Sequence, residues 1–148
     1  SAAQLKTKSE LPALLVFCCQ WSEFSALDDP NSAFKGKNAM ALEVPCFKAM
    51  DPVHVINALK CGFDGVMAVV CSAEDCKLEK GRDAAERNLD VLKDALRKMN
   101  LLGRFELFEE SPRCAGDFNQ KLDAFYKKIS ALPQREVIVV EAKGKRTR

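Results

Sequence analysis

Val66-Met67-Ala68-Val69-Val70-Cys71 is apolar throughout. The run is too short for a helix of its own and lacks the alternation of a strand with one wet face. It reads as a strand buried on both faces, the condition met in a parallel sheet covered by helices. Just upstream, Asp51-Pro52 has the chemistry of a helix start. Asp51 can cap unpaired N–H groups, and Pro52 suits the first helical position, where its missing donor costs nothing. Val55, Ile56 and Leu59 then share a face, and Gly62 ends the helix.

Two further short strands precede this unit. Ala13 to Cys19 (ALLVFCC) is apolar, and Ala41 to Cys46 (ALEVPC) is stopped near Pro45. Between them, residues 25–39 are rich in Asp, Pro, Asn, Ser and Gly and read as a loop. Downstream, Asp83 with Glu86 resembles a capping box. Ala85, Leu89, Leu92, Leu96 and Met99 follow at helical spacing, and Gly103 closes the helix. Phe105 to Phe108 (FELF) alternates as a half-buried strand. Phe118, Leu122, Phe125, Ile129 and Leu132 mark a last helix before Pro133, and Val137 to Val140 (VIVV) reads as one more strand. This alternation predicts a three-layer α/β/α sandwich with a mostly parallel sheet of four or five strands. The predicted organisation is a linker over 1–12, one domain over 13–141 and a basic tail over 142–148.

Composition excludes several classes. The chain has 148 residues, 47% hydrophobic and 30% charged, the balance of one globular domain. Lys+Arg is 23 and Asp+Glu is 21, and a net charge of +2 argues against nucleic acid or a polybasic membrane patch. No run of about 18 apolar residues is present, so no membrane-spanning helix is expected. No charged-then-apolar leader opens the sequence, so a cytoplasmic setting is expected.

Cysteine is over-represented: there are seven, an odd number that fits poorly with a secreted disulfide framework. Cys18 and Cys19 end the first predicted strand, Cys46 the second and Cys71 the third, with Cys76 five residues beyond. In an open parallel sheet the carboxyl ends of the strands form one edge, where ligands bind. Cys19, Cys46, Cys71 and Cys76 are therefore predicted to converge there. Four thiolates on one rim suit a 2Fe–2S cluster or a four-cysteine zinc site, whereas buried cysteines as small core hydrophobes are the plain alternative. Cys61, near a helix end, and Cys114, in a loop, fall away from that rim.

Phe17-Cys18-Cys19-Gln20-Trp21-Ser22, Val44-Pro45-Cys46, Asp51-Pro52, Gly62-Phe63-Asp64-Gly65-Val66, Cys71-Ser72-Ala73-Glu74-Asp75-Cys76-Lys77-Leu78 with Gly81, and Arg87 together resemble the delta subunit of methyl-viologen-reducing hydrogenase. The resemblance runs from about residue 13 to 132. It implies a 2Fe–2S cluster held by Cys19, Cys46, Cys71 and Cys76. It also implies electron transfer between a partner's cofactor and a flavin, with no bond chemistry of the domain's own. The implied partners are a flavoprotein similar to the A subunit of heterodisulfide reductase and hydrogenase-like or membrane quinone-oxidoreductase subunits. The chain departs from the family where Ser22 replaces the second cysteine of a C-N-W-C motif, and where Ser72 and Lys77 replace histidines. Loss of the cluster, leaving a structural docking domain, is the alternative that Ser22 raises. Cys18 is a poor substitute ligand, because adjacent strand residues face opposite ways.

Other residues carry weaker signals. Trp21 is read as a rim or core aromatic and His54 as a solvent-facing helical residue. Asp75 is equally fit to cap its loop or to add negative charge beside a cluster. Lys80, Arg82 and Arg87 belong to a charged helix start that could also meet an acidic partner. Thiol–disulfide chemistry at Cys71 and Cys76 is a further candidate, but C-x4-C alone supports it weakly. Neither a G-x-x-x-x-G-K-[ST] nor a G-x-G-x-x-G loop occurs, so a nucleotide site of those kinds has no support.

Overall fold

The computed structural model describes residues 11–19, 34–46, 50–71, 81–109 and 117–133. Four strands form one sheet: β1 (Leu14–Cys19), β2 (Ala39–Val44), β3 (Gly65–Val70) and β4 (Phe105–Glu109). Three helices accompany them: α1 (Pro52–Lys60), α2 (Gly81–Lys98) and α3 (Asp117–Ala131). The strand order is β2-β1-β3-β4 and every neighbouring pair is parallel. The architecture is the expected α/β sandwich, with four strands among the described residues. The segment around Val137 to Val140 lies outside them, as do residues 20–33, 72–80 and 110–116.

The two central strands explain their own sequences. All six residues of β1 are buried, as are the first five of β3. On one face Leu15, Phe17, Val66, Ala68 and Phe105 pack with Val55, Ala58 and Leu59 of α1 and with Leu92 and Leu96 of α2. On the other, Leu14, Val16, Cys18, Met67 and Val69 pack with Phe118, Leu122, Phe125 and Ile129 of α3. With a helix layer on each side, the buried positions of β1 and β3 have no water to face on either side of the sheet, so neither strand alternates. The edge strand β2 is different: Met40 and Leu42 are about half exposed, at 47% and 50%.

Element ends follow local chemistry, with three shifts from expectation. Strand β2 runs Ala39–Val44 rather than from Ala41 to Cys46. Its ladder starts early because Leu14 N donates to Asn38 O, and it stops before Pro45, which has no N–H to give. Helix α2 begins at Gly81, so Asp83 is an acidic first-turn residue and not the N-cap; there it still favours the positive end of the helix dipole. The same helix stops at Lys98, where Asn100 takes φ 58°, and Gly103 falls in a short 3-10 turn (Leu102–Arg104). Asn is one of the few residues that adopts the left-handed conformation readily, and it does the terminating here. Helix α1 matches its signals: the Asp51 side chain accepts from Val53 N at 2.8 Å, and Pro52 opens the helix.

The edge where the strands begin is braced by a buried acid and a buried base. Ala13 N donates to Asp64 Oδ2 at 2.9 Å, and Asp64 N donates back to Ala13 O at 2.7 Å. Arg104 Nη1 donates to Asp64 O at 3.0 Å and Nη2 to Pro133 O at 2.6 Å. Both residues are only 8% exposed. The starts of β1, β3 and β4 and the exit of α3 are thus bound into one network. Next to it α3 presses on Gly65, where an added Cβ would lie 2.8 Å from Ile129 Cγ1 and 2.9 Å from Leu14 Cδ2.

Two outcomes follow from this bracing. Asp64→Ala leaves the buried Ala13 N–H without its side-chain acceptor and should lower stability by about 1–3 kcal/mol. Gly65→Ala overpacks the α3 contact and should cost about 1–3 kcal/mol. Urea unfolding checks both: the midpoint should fall while the slope stays unchanged.

Candidate metal centre

Strand β1 is central, β2 lies on one side of it and β3 on the other. The chain therefore reverses its winding direction at β1, and such a switch point opens a crevice beyond the carboxyl ends of the flanking strands. Cys19 is the last residue of β1, and Cys71 is the first after β3. Cys18 pairs with Val69, so Cys19 comes level with Val70 and Cys71 is one step further on. The two sulfur atoms are 3.7 Å apart.

That spacing is chemically informative. It is far longer than the S–S bond of a disulfide, about 2.05 Å. It is close to what one tetrahedral metal needs, because two sulfurs each bonded at about 2.3 Å and spread by the tetrahedral angle lie about 3.8 Å apart. It also suits a thiol–thiol hydrogen bond. Cys19 is sealed at 2% exposure, whereas Cys71 is half-buried.

Cys46 lies two residues past the end of β2, on the opposite side of β1 from Cys71, and is buried at 7% exposure. Cys19 is paired with Val44, so the three strand exits bear their cysteines in the spatial order Cys46, Cys19, Cys71. Among the described residues, no three His, Cys, Asp or Glu side chains are grouped as a metal ion requires. Cys76, the fourth expected ligand, lies outside the described residues, as do Trp21, Ser22, Ser72, Asp75, Lys77, Lys80 and Cys114. Of the expected convergence, the structure brings together Cys19 and Cys71.

Cys18 is excluded from this edge by strand geometry. It faces α3 with no exposure. Burial pushes its thiol far above the ordinary range, and the charges of Glu43 and Cys19 add to the effect. Cys61 follows α1, which runs from the thiol edge to the opposite edge, and it is exposed there. His54 and Arg87 are exposed helical residues. No described helix is long and apolar enough to cross a membrane. Sequence reasoning missed the pairing of Arg104 with the Asp64 backbone; the available signal was an acid at the mouth of a strand too apolar to tolerate an unbraced one.

The electrostatic setting comes from the helices. In a parallel α/β layer each helix starts where the preceding strand ends, so α1 and α2 turn their amino ends toward the thiol edge. Aligned peptide dipoles favour negative charge there.

The fold and this edge define a doubly wound parallel α/β domain with a thiol pair at its switch point. Comparison with known proteins is specific. Residues 14–133 match the model of the family described as methyl-viologen-reducing hydrogenase, delta subunit, and the chain belongs to that family. It is 28% identical over 96 residues to the A subunit of the ferredoxin:CoB-CoM heterodisulfide reductase of Methanosarcina mazei, covering 64% of this chain but 12% of that protein. It is 25% identical over 127 residues to the iron-sulfur D subunit of the vhc F420-non-reducing hydrogenase of Methanococcus voltae, covering 82% of this chain and 86% of that one. The iron-sulfur D subunit of the F420-non-reducing hydrogenase from Archaeoglobus profundus is 26% identical over 92 residues, 61% of this chain and 67% of its own. The chain thus spans about an eighth of the heterodisulfide reductase polypeptide that it matches.

Alkylation distinguishes the faces. In the folded protein iodoacetamide should label exposed Cys61 within minutes and leave Cys18 unlabelled until urea is added, as peptide mass mapping would show. Equal labelling of the two would contradict the placement of Cys18 beneath α3.

Proposed function

We propose that the chain is an iron–sulfur electron-transfer domain. The observation that carries this reading is the Cys19–Cys71 contact, two sulfurs at tetrahedral ligand spacing at the carboxyl ends of β1 and β3. Cys19, Cys46, Cys71 and Cys76 are the proposed ligands, and the proposed group is a 2Fe–2S cluster, which takes four thiolates, two per iron. When bound, such a cluster accepts and releases electrons without any bond being made in a substrate. The chain's own contribution is positional. The β1–β3 ladder holds two ligands at a fixed spacing, the sealed side of Cys19 keeps water out, and the helix amino ends offset thiolate charge.

The relatives' names support the setting. Two are iron-sulfur subunits of hydrogenases, and one is a heterodisulfide reductase polypeptide several times longer than this chain. The domain accordingly serves a cytoplasmic redox complex of that kind. There it relays electrons between a partner redox protein and a flavoprotein similar to the A subunit of heterodisulfide reductase, or a hydrogenase-like or quinone-oxidoreductase assembly. In this reading residues 1–12 and 142–148 flank the working domain at 13–141.

A second reading is favoured by one residue. Ser22 stands where the family pattern has a cysteine, and a domain that lost its cluster would persist as a docking piece of the same complex.

Anaerobic reconstitution with ferrous iron and sulfide decides between them. Bound iron and acid-labile sulfide in equal amounts, with a paramagnetic signal after one-electron reduction, are expected for the electron carrier. Cys71→Ala should abolish that signal and Cys61→Ala should leave it unchanged. Iron and sulfide near zero in the folded wild-type protein would leave only the docking role.

A further inference from the structure

We propose that, in the chain without a cluster, Cys71 and Cys19 form a dithiol–disulfide couple in which Cys71 is the point of entry and Cys19 the resolving thiol. The disulfide stands on the geometry of the pair; its consequence for metal loading rests on the function proposed above. The contact also directs the thiol chemistry suggested by C-x4-C to a partner on the neighbouring strand.

Backbone placement permits the bond. Cys19 is level with Val70, and Cys71 is one residue further along the adjacent strand. A strand spacing of about 4.8 Å and a step of about 3.3 Å put the two Cα atoms roughly 6 Å apart. Disulfides span Cα separations of about 4.4–6.8 Å. The sulfurs already approach to 3.7 Å, so little further movement is needed to reach the S–S bond length of about 2.05 Å. Cys18 is no competitor, because it lies on the other face of β1 under α3. Cys61 is at the far edge of the sheet.

Exposure fixes the order of events. Cys71 is half-buried and reachable, whereas Cys19 is 2% exposed and shielded from any external reagent. With a low-molecular-weight disulfide as oxidant, the Cys71 thiolate attacks one of its sulfurs, forming a mixed disulfide and releasing one thiolate. The Cys19 thiolate then attacks the Cys71 sulfur and releases the second. The two protons lost by the cysteines go to the two departing thiolates. Two protein thiols are oxidised and one external disulfide is reduced to two thiols. The closed form withdraws two ligands at once, so a chain in this state takes up no cluster until it is reduced.

Non-reducing peptide mapping tests this on the full-length reduced protein, prepared anaerobically without iron and incubated with oxidised glutathione. The expected product is a Cys19–Cys71 cross-link, two hydrogens lighter than the separate peptides. Cys19→Ser should trap glutathione on Cys71 as a lasting mixed disulfide, and Cys71→Ser should leave Cys19 unmodified. A cross-link from Cys71 to Cys76 or Cys46 in place of Cys19, or glutathione persisting on Cys71 in the wild-type protein, would overturn the proposal. A parallel reduced sample is given iron and sulfide. Cross-linking without iron uptake upholds the couple and removes the iron–sulfur reading, whereas iron uptake without cross-linking does the reverse.

Discussion

The hydrogen-bonded ladder between β1 and β3 is the constraint on which the rest of the molecule depends. It joins two strands whose residues are buried on both faces, so neither can slip by one position without exchanging the side chains that meet α3 for those that meet α1 and α2. The same ladder sets Cys19 beside the residue that follows Val69, one step short of Cys71. Register at the core and sulfur spacing at the edge are therefore one fact. A pair of thiols placed by strand ends inherits the rigidity of the sheet, and no loop is needed to fix the relation of Cys19 to Cys71.

Much of this was legible in the sequence because burial leaves a plain record. LLVFCC and VMAVVC have no charged or amide residue, and that pattern has few structural solutions other than a strand covered twice. Asp51-Pro52 announced α1, and the rhythm of Phe118, Leu122, Phe125 and Ile129 announced the buried stripe of α3. The failures were at boundaries. Asp83 looked like a cap because its neighbours fit one, but the helix had already begun at Gly81. Asn100 ended α2 ahead of the more conspicuous Gly103, because a single asparagine in the left-handed region suffices. The site was legible as an edge. Which two sulfurs touch depends on register, and register is a property of paired strands that no single stretch of sequence contains.

The two cysteines at positions 18 and 19 show how far one step along a strand separates chemical roles. One thiol points into hydrocarbon under α3 and is held protonated by its surroundings. The next ends the strand in contact with a second sulfur. Strand alternation alone makes the difference, and it explains why cysteine content by itself says little about reactivity in this chain.

The network at the other edge has a consequence for how the domain relates to longer polypeptides. Asp64 holds Ala13 where β1 is about to start, and Arg104 ties Asp64 to Pro133 where α3 has just finished. Those two positions bracket the stretch, 14–133, over which the family is recognised. Incoming and outgoing chain are fastened to the same anchor, on the side facing away from the sulfurs. Such a unit closes on itself: a change at Asp64 or Arg104 loosens the start of β1 and the exit of α3 at once.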